Sequence, residues 1–550
     1  MTGEEMAGER AAPQAGKATR RISGRGVTSL GVAGAGTMGR GIALAALLAD
    51  LPAVLYDVSG EVLSSARDYI ETHLNRKRKA INLKYLQLTS TLEAFAGCEV
   101  VVEAIPEQLA LKQALFSRLE AICPPPAILA TNTSTLSVTA IAAAVAAPER
   151  VAGMHFFNPA PVLPLVEVIR AARTAPEAVE TLVRLAERLG KTPVVAGDTP
   201  GFIVNRVARP FYGEALRLLG EGVATHEQID RIVREGGGFR MGPFELMDLI
   251  GIDVNFAATQ SVYEQTFFEP RYRPHLIQAQ MVAQQALGRK TGRGFYPYDV
   301  VRPVSGESQP GGGDPQPATS TQPLTGPVLL TPGSWAPKLV DLLNNNGLEP
   351  QPVQLGQNNL ENRRPAACFV VAGEDEDLAA YLQALDRALP PGTPLLCQCV
   401  NLALSEITAG LEHTEHVVGF DGLFLEHGKI ACLVAKPELD PQVKAAAESL
   451  FFALGRPPVW IEESPGLVLP RIVCALVNEA AFAAGEGVAD AETIDRAMQL
   501  GATYPLGPLA WGRELGYRRV LAVLEHLQAE YREERYRPAP LLRRLARGEK

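Results

Sequence analysis

The sequence predicts an α/β plus all-α protein: a doubly wound parallel sheet followed by a helical domain, the pair repeated in degenerate form. Three observations carry this. From Val27 to Asp57 an apolar run, a glycine-rich turn, an Ala/Leu-rich helix and a second apolar run follow one another (VTSLGVAGAGTMGRGIALAALLADLPAVLYD), which is the β-turn-α-β pattern of a parallel sheet. Strand-like runs stop after Arg206, and helical periodicity dominates from there to residue 288. Lastly, Pro200-Gly201, Gly220-Glu221-Gly222-Val223, Ile229-Asp230-Arg231 and Gly242-Pro243 recur as Pro465-Gly466, Gly485-Glu486-Gly487-Val488, Ile494-Asp495-Arg496 and Gly507-Pro508, each 265 positions later. Matches that hold register without a gap mark a duplicated helical domain.

The elements follow in order. Residues 1–25, rich in Gly, Ala, Glu and Arg without an apolar run, are expected to be a disordered tail rather than a signal peptide. Residues 26–197 form the sheet domain, with EVVVEAI (Glu99 to Ile105) and AILATNTS (Ala127 to Ser134) as further buried strands. A helical domain spans 198–300, and the Pro/Gly/Ser/Gln-rich stretch within 301–326 is a linker that cannot bury enough apolar surface to fold. A degenerate sheet domain at 327–460 and a second helical domain at 461–550 complete the chain.

Composition narrows the function classes. A chain of 550 residues with 47% hydrophobic and 21% charged residues suits a multi-domain globular protein. A net charge of −9 argues against nucleic-acid partners, which need a basic face, and no segment is apolar enough to predict a membrane span. Seven scattered cysteines without zinc spacing, Cys397 and Cys399 among them, suggest reduced thiols and a cytoplasmic protein. His413 and His416 lack the H-E-x-x-H arrangement and are expected on a solvated surface, with no metal.

Gly34-Ala35-Gly36-Thr37-Met38-Gly39 is a G-x-G-x-x-G between a predicted strand and helix. The first glycine permits a tight turn, the second lets a pyrophosphate approach the backbone, and the third allows close helix–strand packing. Asp57 ends the next strand; a carboxylate there accepts both ribose hydroxyls and repels a 2′-phosphate, so the expected cofactor is NAD.

GMHFFNP (Gly153 to Pro159) follows an apolar strand. His155 is the candidate general base, because imidazole accepts a hydroxyl proton near neutral pH. Glu167, in LVEVI, is a charge within an apolar strand, costly to bury alone. A His155–Glu167 dyad would resolve that cost and orient the ring.

Taken in order, GAGTMG, VVEAIPE, ATNTSTLSVTAI, GMHFFNPAPVLPLVEVI, DTPGFIVNR and GRKTGRGFYPY closely resemble the L-3-hydroxyacyl-CoA dehydrogenase family over residues 27–298. The fused second copy resembles bacterial 3-hydroxybutyryl-CoA dehydrogenases with a reduced Rossmann-like domain, of the kind used in phenylacetate degradation. The resemblance implies that His155 is the base and Glu167 its partner. It implies that Ser134 binds the substrate's 3-oxygen, that Asn205 helps hold the substrate carbonyl, and that Asn158 belongs to the same site. Glu107, Lys112 and Lys290 fall at positions near the nicotinamide half of NAD. The implied substrate is an acyl-CoA thioester with an S-configured 3-hydroxyl. Single-copy members pair their helical domains between subunits, so the internal repeat is expected to replace or extend that contact, with a homodimer of the whole chain left open.

Two departures stand out. The stretch from Asp57 to Glu103 is shorter than in the family, and the serine and lysine that contact CoA fall near His73 and Ala80, which do not match. The basic run Asn75-Arg76-Lys77-Arg78-Lys79 is either a phosphate grip or a solvated helix face. The second copy places Val400 opposite Ser134, Asp421 opposite His155 and Pro470 opposite Asn205, so it is expected to bind no NAD and to catalyse nothing. A non-catalytic NAD-binding scaffold and a dehydrogenase of non-CoA 3-hydroxyacids remain as alternatives.

Overall fold

A computed structural model describes residues 26–77, 79–298, 324–333, 336–353, 360, 364–371 and 377–548. The expected tail, residues 301–323 of the expected linker, and Arg78 of the basic run lie outside them.

The first sheet has eight strands: β1 (Leu30–Ala33), β2 (Ala53–Tyr56), β3 (Leu86–Thr89), β4 (Val100–Glu103), β5 (Ile128–Thr131), β6 (Val151–Phe156), β7 (Leu165–Arg170) and β8 (Thr192–Gly197). Their order is β3-β2-β1-β4-β5-β6-β7-β8, with chain reversal between β1 and β4. In such sheets a ligand crevice opens at that switch point, beyond the strand C-termini. β1, β2, β4 and β5 are buried at every residue, as strands covered by helices on both faces must be. All pairings are parallel except β6–β7, whose antiparallel register sets His155 directly opposite Glu167.

A second sheet repeats this plan with one strand fewer. β9 (Val328–Leu330), β10 (Pro350–Pro352), β11 (Ala367–Val370), β12 (Leu395–Gln398), β13 (Val417–Phe420), β14 (Ala431–Val434) and β15 (Pro458–Ile461) run in the order β10-β9-β11-β12-β13-β14-β15. Again the next-to-last pairing, β13–β14, is antiparallel. Among the described residues no strand of this sheet corresponds to β3.

Between the sheets the two helical repeats pack face to face, the Arg209–Gly220 helix against the Leu469–Gly485 helix. Polar groups inside this contact are reciprocal. Arg206 pairs with Glu479 (2.8 Å) and Glu486 (2.7 Å) of the second repeat. Its counterpart Arg471 pairs with Glu214 (2.9 Å) and Glu221 (2.7 Å) of the first. Tyr272 donates to Glu479, and Tyr536 donates to Glu214. This is the self-complementary pattern of a two-fold interface, realised within one chain.

Candidate active site

The crevice is built first by glycines. Gly34 has φ +104, and a Cβ there would lie 2.6 Å from the Ala104 carbonyl oxygen; a Cβ on Gly39 would lie 1.7 Å from the Gly34 oxygen. Both positions therefore serve close packing. A Cβ on Gly36 would meet nothing within 4 Å. Open space thus faces the turn where the Thr37–Leu48 helix begins, with Gly36 as its N-cap and Thr37 exposed and Met38 half-buried beside it. Free N–H groups at such a terminus suit an anion. Asp57 is held against the turn, its Oδ2 accepting from Ala35 N (2.9 Å) and its Oδ1 from Ser59 N (3.0 Å). These residues fit a dinucleotide: a cradle a side chain would fill, a helix terminus, and a carboxylate at ribose distance in sequence.

The second half is a hydrogen-bonded dyad. His155 Nδ1 and Glu167 Oε2 are 2.7 Å apart, and the two residues are 5% and 0% exposed. Glu167 Oε1 accepts from the backbone N–H groups of Ile203 (3.1 Å) and Val204 (3.0 Å). Both carboxylate oxygens are thus satisfied, which removes the cost of burial that the sequence flagged. A carboxylate at Nδ1 puts the proton there and leaves Nε2 as the acceptor. The Phe157 ring packs on the imidazole with centroids 4.6 Å apart.

Ser134 lies on the loop after β5, and Asn205 Nδ2 donates to its carbonyl oxygen at 3.4 Å. Glu107 organises that loop: its Oε1 accepts from Thr133 Oγ1 (2.5 Å), Ser134 N (3.0 Å) and Thr135 N (3.1 Å). Burial raises the Glu107 carboxyl, but Lys112 and these donors outweigh it and hold it below the usual carboxylate range. Lys112 is itself buried, donating to Glu103 (2.6 Å) and lying 3.2 Å from Glu107, so it acts on the loop through Glu107. Asn158 is exposed at the rim beyond His155. Lys290 pairs with Asp253 (2.5 Å) in the helical domain.

Several positioning residues escaped the sequence reading. Asn132 Oδ1 accepts from Phe156 N at 2.8 Å, tying β5's end to the strand of His155. Asp198 accepts from Ser137 Oγ, Val138 N and Thr139 N, anchoring the far end of the Ser134 loop. Glu103 is 0% exposed and accepts from Lys112, Ile105 N and Thr131 Oγ1. The signal that singled out Glu167, a charge set in an apolar strand, was available for Glu103 as well. The second copy also reaches this site: a Cβ on Gly501 would lie 2.6 Å from Leu165 Cδ2, 2.9 Å from Val204 Cγ2 and 3.6 Å from Phe157 Cζ.

Beyond the dyad, Lys79 of the basic run is engaged with Asp50 (3.0 Å) and the Leu48 carbonyl (2.8 Å). Among the described residues, the segment between Asp57 and β4 holds one α-helix (Gly60–Arg76), two 3-10 turns (Ala80–Tyr85 and Leu92–Gly97) and β3. His413 and His416 come together with Glu415, one ligand atom of each within 4.8 Å of the others. His416 Nδ1 accepts from Gly392 N (3.4 Å), however, which places its proton on Nε2, the nitrogen turned toward Glu415. Among the described residues no helix is long and apolar enough to cross a membrane.

Comparison with known proteins defines the class. The NAD-binding domain of 3-hydroxyacyl-CoA dehydrogenases matches residues 29–199, and the C-terminal domain of the same enzymes matches 201–298 and again 466–550. The chain is 38% identical over 531 residues to the 3-hydroxyadipyl-CoA dehydrogenase of Escherichia coli K12, covering 94% of this chain and 98% of that one. It is 41% identical over 276 residues to a probable 3-hydroxybutyryl-CoA dehydrogenase of Deinococcus radiodurans, covering 49% of this chain and 99% of that one. A crystal structure titled 3-hydroxybutyryl-CoA dehydrogenase, from Escherichia coli K12, superposes with a TM-score of 0.76 at 37% identity over 95% of this chain and 98% of that one. The chain belongs to the 3-hydroxyacyl-CoA dehydrogenase family. It is an NAD-dependent oxidoreductase of 3-hydroxyacyl-CoA.

Proposed function

We propose that residues 26–300 carry the whole reaction, with His155 as general base oriented by Glu167, and that residues 327–550 are a non-catalytic internal partner. The observation that carries this is the 2.7 Å contact between His155 Nδ1 and Glu167 Oε2, beside the loop of Ser134. NAD, when bound at the glycine turn, supplies the hydride acceptor. Ser134 and Asn205 orient the substrate's 3-oxygen toward His155, with Asn158 at the rim; Nε2 takes the hydroxyl proton, and Glu167 stabilises the imidazolium that results. Glu107 and Lys112 hold the Ser134 loop, and with Lys290 they would line the nicotinamide half of the cofactor.

The substrate we propose is a short (S)-3-hydroxyacyl-CoA, and within that class a dicarboxylic one of the 3-hydroxyadipyl type, because the 3-hydroxyadipyl-CoA enzyme matches this chain through both copies. Such a substrate fits phenylacetate catabolism better than β-oxidation of fatty acids. Seven free, buried cysteines favour the cytoplasm. The reciprocal Arg206 and Arg471 clusters support an internal pseudo-dimer in place of a subunit contact. NADH oxidation with acetoacetyl-CoA, 3-oxohexanoyl-CoA and 3-oxoadipyl-CoA tests the reading: 3-oxoadipyl-CoA is expected to give the highest kcat/KM. Activity on none of them would refute the catalytic assignment.

A further inference from the structure

Six arginines are buried among the described residues: Arg150, Arg206, Arg209, Arg217, Arg471 and Arg535. Five have a carboxylate within 4.0 Å, from Glu120, Glu479, Glu214, Glu214 and Glu533 respectively. Arg209 has none. Its Nη1 donates to Thr259 Oγ1 (3.0 Å) and more distantly to the Asn255 carbonyl (3.5 Å), while its buried Nε has no partner at all. Of five N–H donors in a guanidinium, only those on one nitrogen are used. A buried charge in this condition is costly unless something else completes it.

A second orphan comes from the other half of the chain. The Tyr504 hydroxyl is buried without a hydrogen-bond partner, and its ring packs against Phe211 of the Arg209 helix with centroids 5.5 Å apart. The Arg209 guanidinium lies over the Tyr212 ring, 5.2 Å from its centroid, and the Arg209 charge acts on the Tyr504 phenol as well. The duplication provides a control. At 265 positions' distance Arg209 becomes Cys474 and Tyr504 corresponds to Phe239. The structural ion pairs of the interface occur in both copies, whereas these two unsatisfied polar groups have no polar counterparts. A role in packing the repeats together would be expected twice.

Their place relative to the site is set by the helix. Asn205 lies in the Val204–Val207 helix and Arg209, four residues on, begins the Arg209–Gly220 helix, with Ala208 between them in the right-handed helical region. They therefore share a face, about 6 Å apart along the axis. Asn205 is beside Ser134, where C3 of the substrate is held. A carboxyl carbon three C–C bonds beyond C3, each about 1.5 Å, lies roughly 4 Å away when extended, and its oxygens reach farther.

We propose that Arg209 and Tyr504 form the subsite for the terminal carboxylate of a dicarboxylic 3-hydroxyacyl-CoA, with the degenerate copy supplying the tyrosine. A guanidinium fork and a phenol hydroxyl suit the two oxygens of one carboxylate. This rests on the acyl-CoA dehydrogenase reading above, and it gives the second copy a part in substrate choice.

The test compares two thioesters of equal chain length, 3-oxoadipyl-CoA and 3-oxohexanoyl-CoA, by kcat/KM in NADH oxidation with the full chain. The wild-type ratio is expected to favour the dicarboxylate. Arg209→Met should lower that ratio at least 100-fold, Arg209→Lys should restore part of it, and the near-isosteric Tyr504→Phe should lower it about 10-fold, the scale of one charge-assisted hydrogen bond. Equal losses on both thioesters would assign these residues to folding and overturn the proposal. So would a wild type that turns over 3-oxohexanoyl-CoA without preferring 3-oxoadipyl-CoA, although the dehydrogenase reading would stand. Turnover of neither thioester would instead sink the dehydrogenase reading on which the subsite rests.

Discussion

The chain contains the same plan twice, and the two copies differ most where chemistry is concentrated. In the first, the antiparallel pair β6–β7 sets His155 against Glu167. In the second, β13–β14 has the same geometry, but Asp421 follows β13 and its N–H donates to Cys432. Among the described residues the Asp421 carboxylate accepts only from its own turn, Leu423 N (2.9 Å) and Phe424 N (3.4 Å). Elsewhere the copies agree closely. Asp230 caps the Pro243–Ile250 helix through Phe244 N and Glu245 N, and Asp495 receives Leu509 N at the matching helix. What the copies share is the packing interface; where they differ is the cluster around His155 and Glu167. A scaffold can persist while such a cluster changes, because burial and ion pairing depend on the partner surface and not on a ligand.

Four substitutions break or sharpen this comparison. The largest effect is expected at the dyad: His155→Gln should lower kcat about 10³–10⁴-fold, the scale of a general base, with NADH affinity little changed in a fluorescence titration. Turnover near that of the wild type would show the base to be elsewhere.

Next comes the shared interface. Arg471→Met removes a cation shared by Glu214 and Glu221 and leaves the buried Glu214 with Arg217 and the Tyr536 hydroxyl. Breaking a buried pair typically costs about 3–5 kcal/mol, so denaturant unfolding should show a loss of that order. A loss below about 1 kcal/mol, as for a surface pair, would remove the internal pseudo-dimer from the account.

The vestigial position is a pH probe. Burial pushes the Asp421 carboxyl up to about 7, against the Leu423 and Phe424 N–H groups that favour the charge. An unfolded chain ionises this group near pH 4, whereas the folded chain keeps its proton until about pH 7. Stability contributed by the neutral folded form is therefore full at low pH and lost as pH rises through that window. Asp421→Asn should gain stability over the wild type at pH 8 relative to pH 4, by at most about 4 kcal/mol. An identical pH dependence in both proteins would contradict the shift. The smallest effect is at the ribose: Asp57→Ala should reduce the preference for NAD over NADP about 10-fold, equivalent to about 1.4 kcal/mol of lost discrimination, read from kcat/KM with each cofactor.

Much of this was legible in the sequence because it is local or repeated. The glycine turn, Asp57 and the first strand periodicity all fall between Val27 and Asp57, and the duplication announces itself by constant spacing. His155 and Glu167 were joined by a physical argument, a buried charge needing a partner, and the strand register bears on both. The interface was not legible: Arg206 meets Glu479, and Arg471 meets Glu214, across more than 250 positions, where no local pattern reports proximity. Asn132 and Asp198 were missed because asparagine and aspartate in loops have turn-forming roles that hide a tertiary one. Arg209 was missed for the opposite reason. On a helix an arginine is ordinary, and only burial without a carboxylate sets it apart.

The central claim is one working nucleotide site per chain, and binding stoichiometry tests it most directly. Gly36 has φ −64 and open space at its Cβ position, so Gly36→Val fits the folded protein while filling the room a pyrophosphate needs. Calorimetric titration of NADH should give one site per chain in the wild type and none in Gly36→Val. A second equivalent in the wild type, or one surviving in the variant, would place a live site in the degenerate copy and contradict the account.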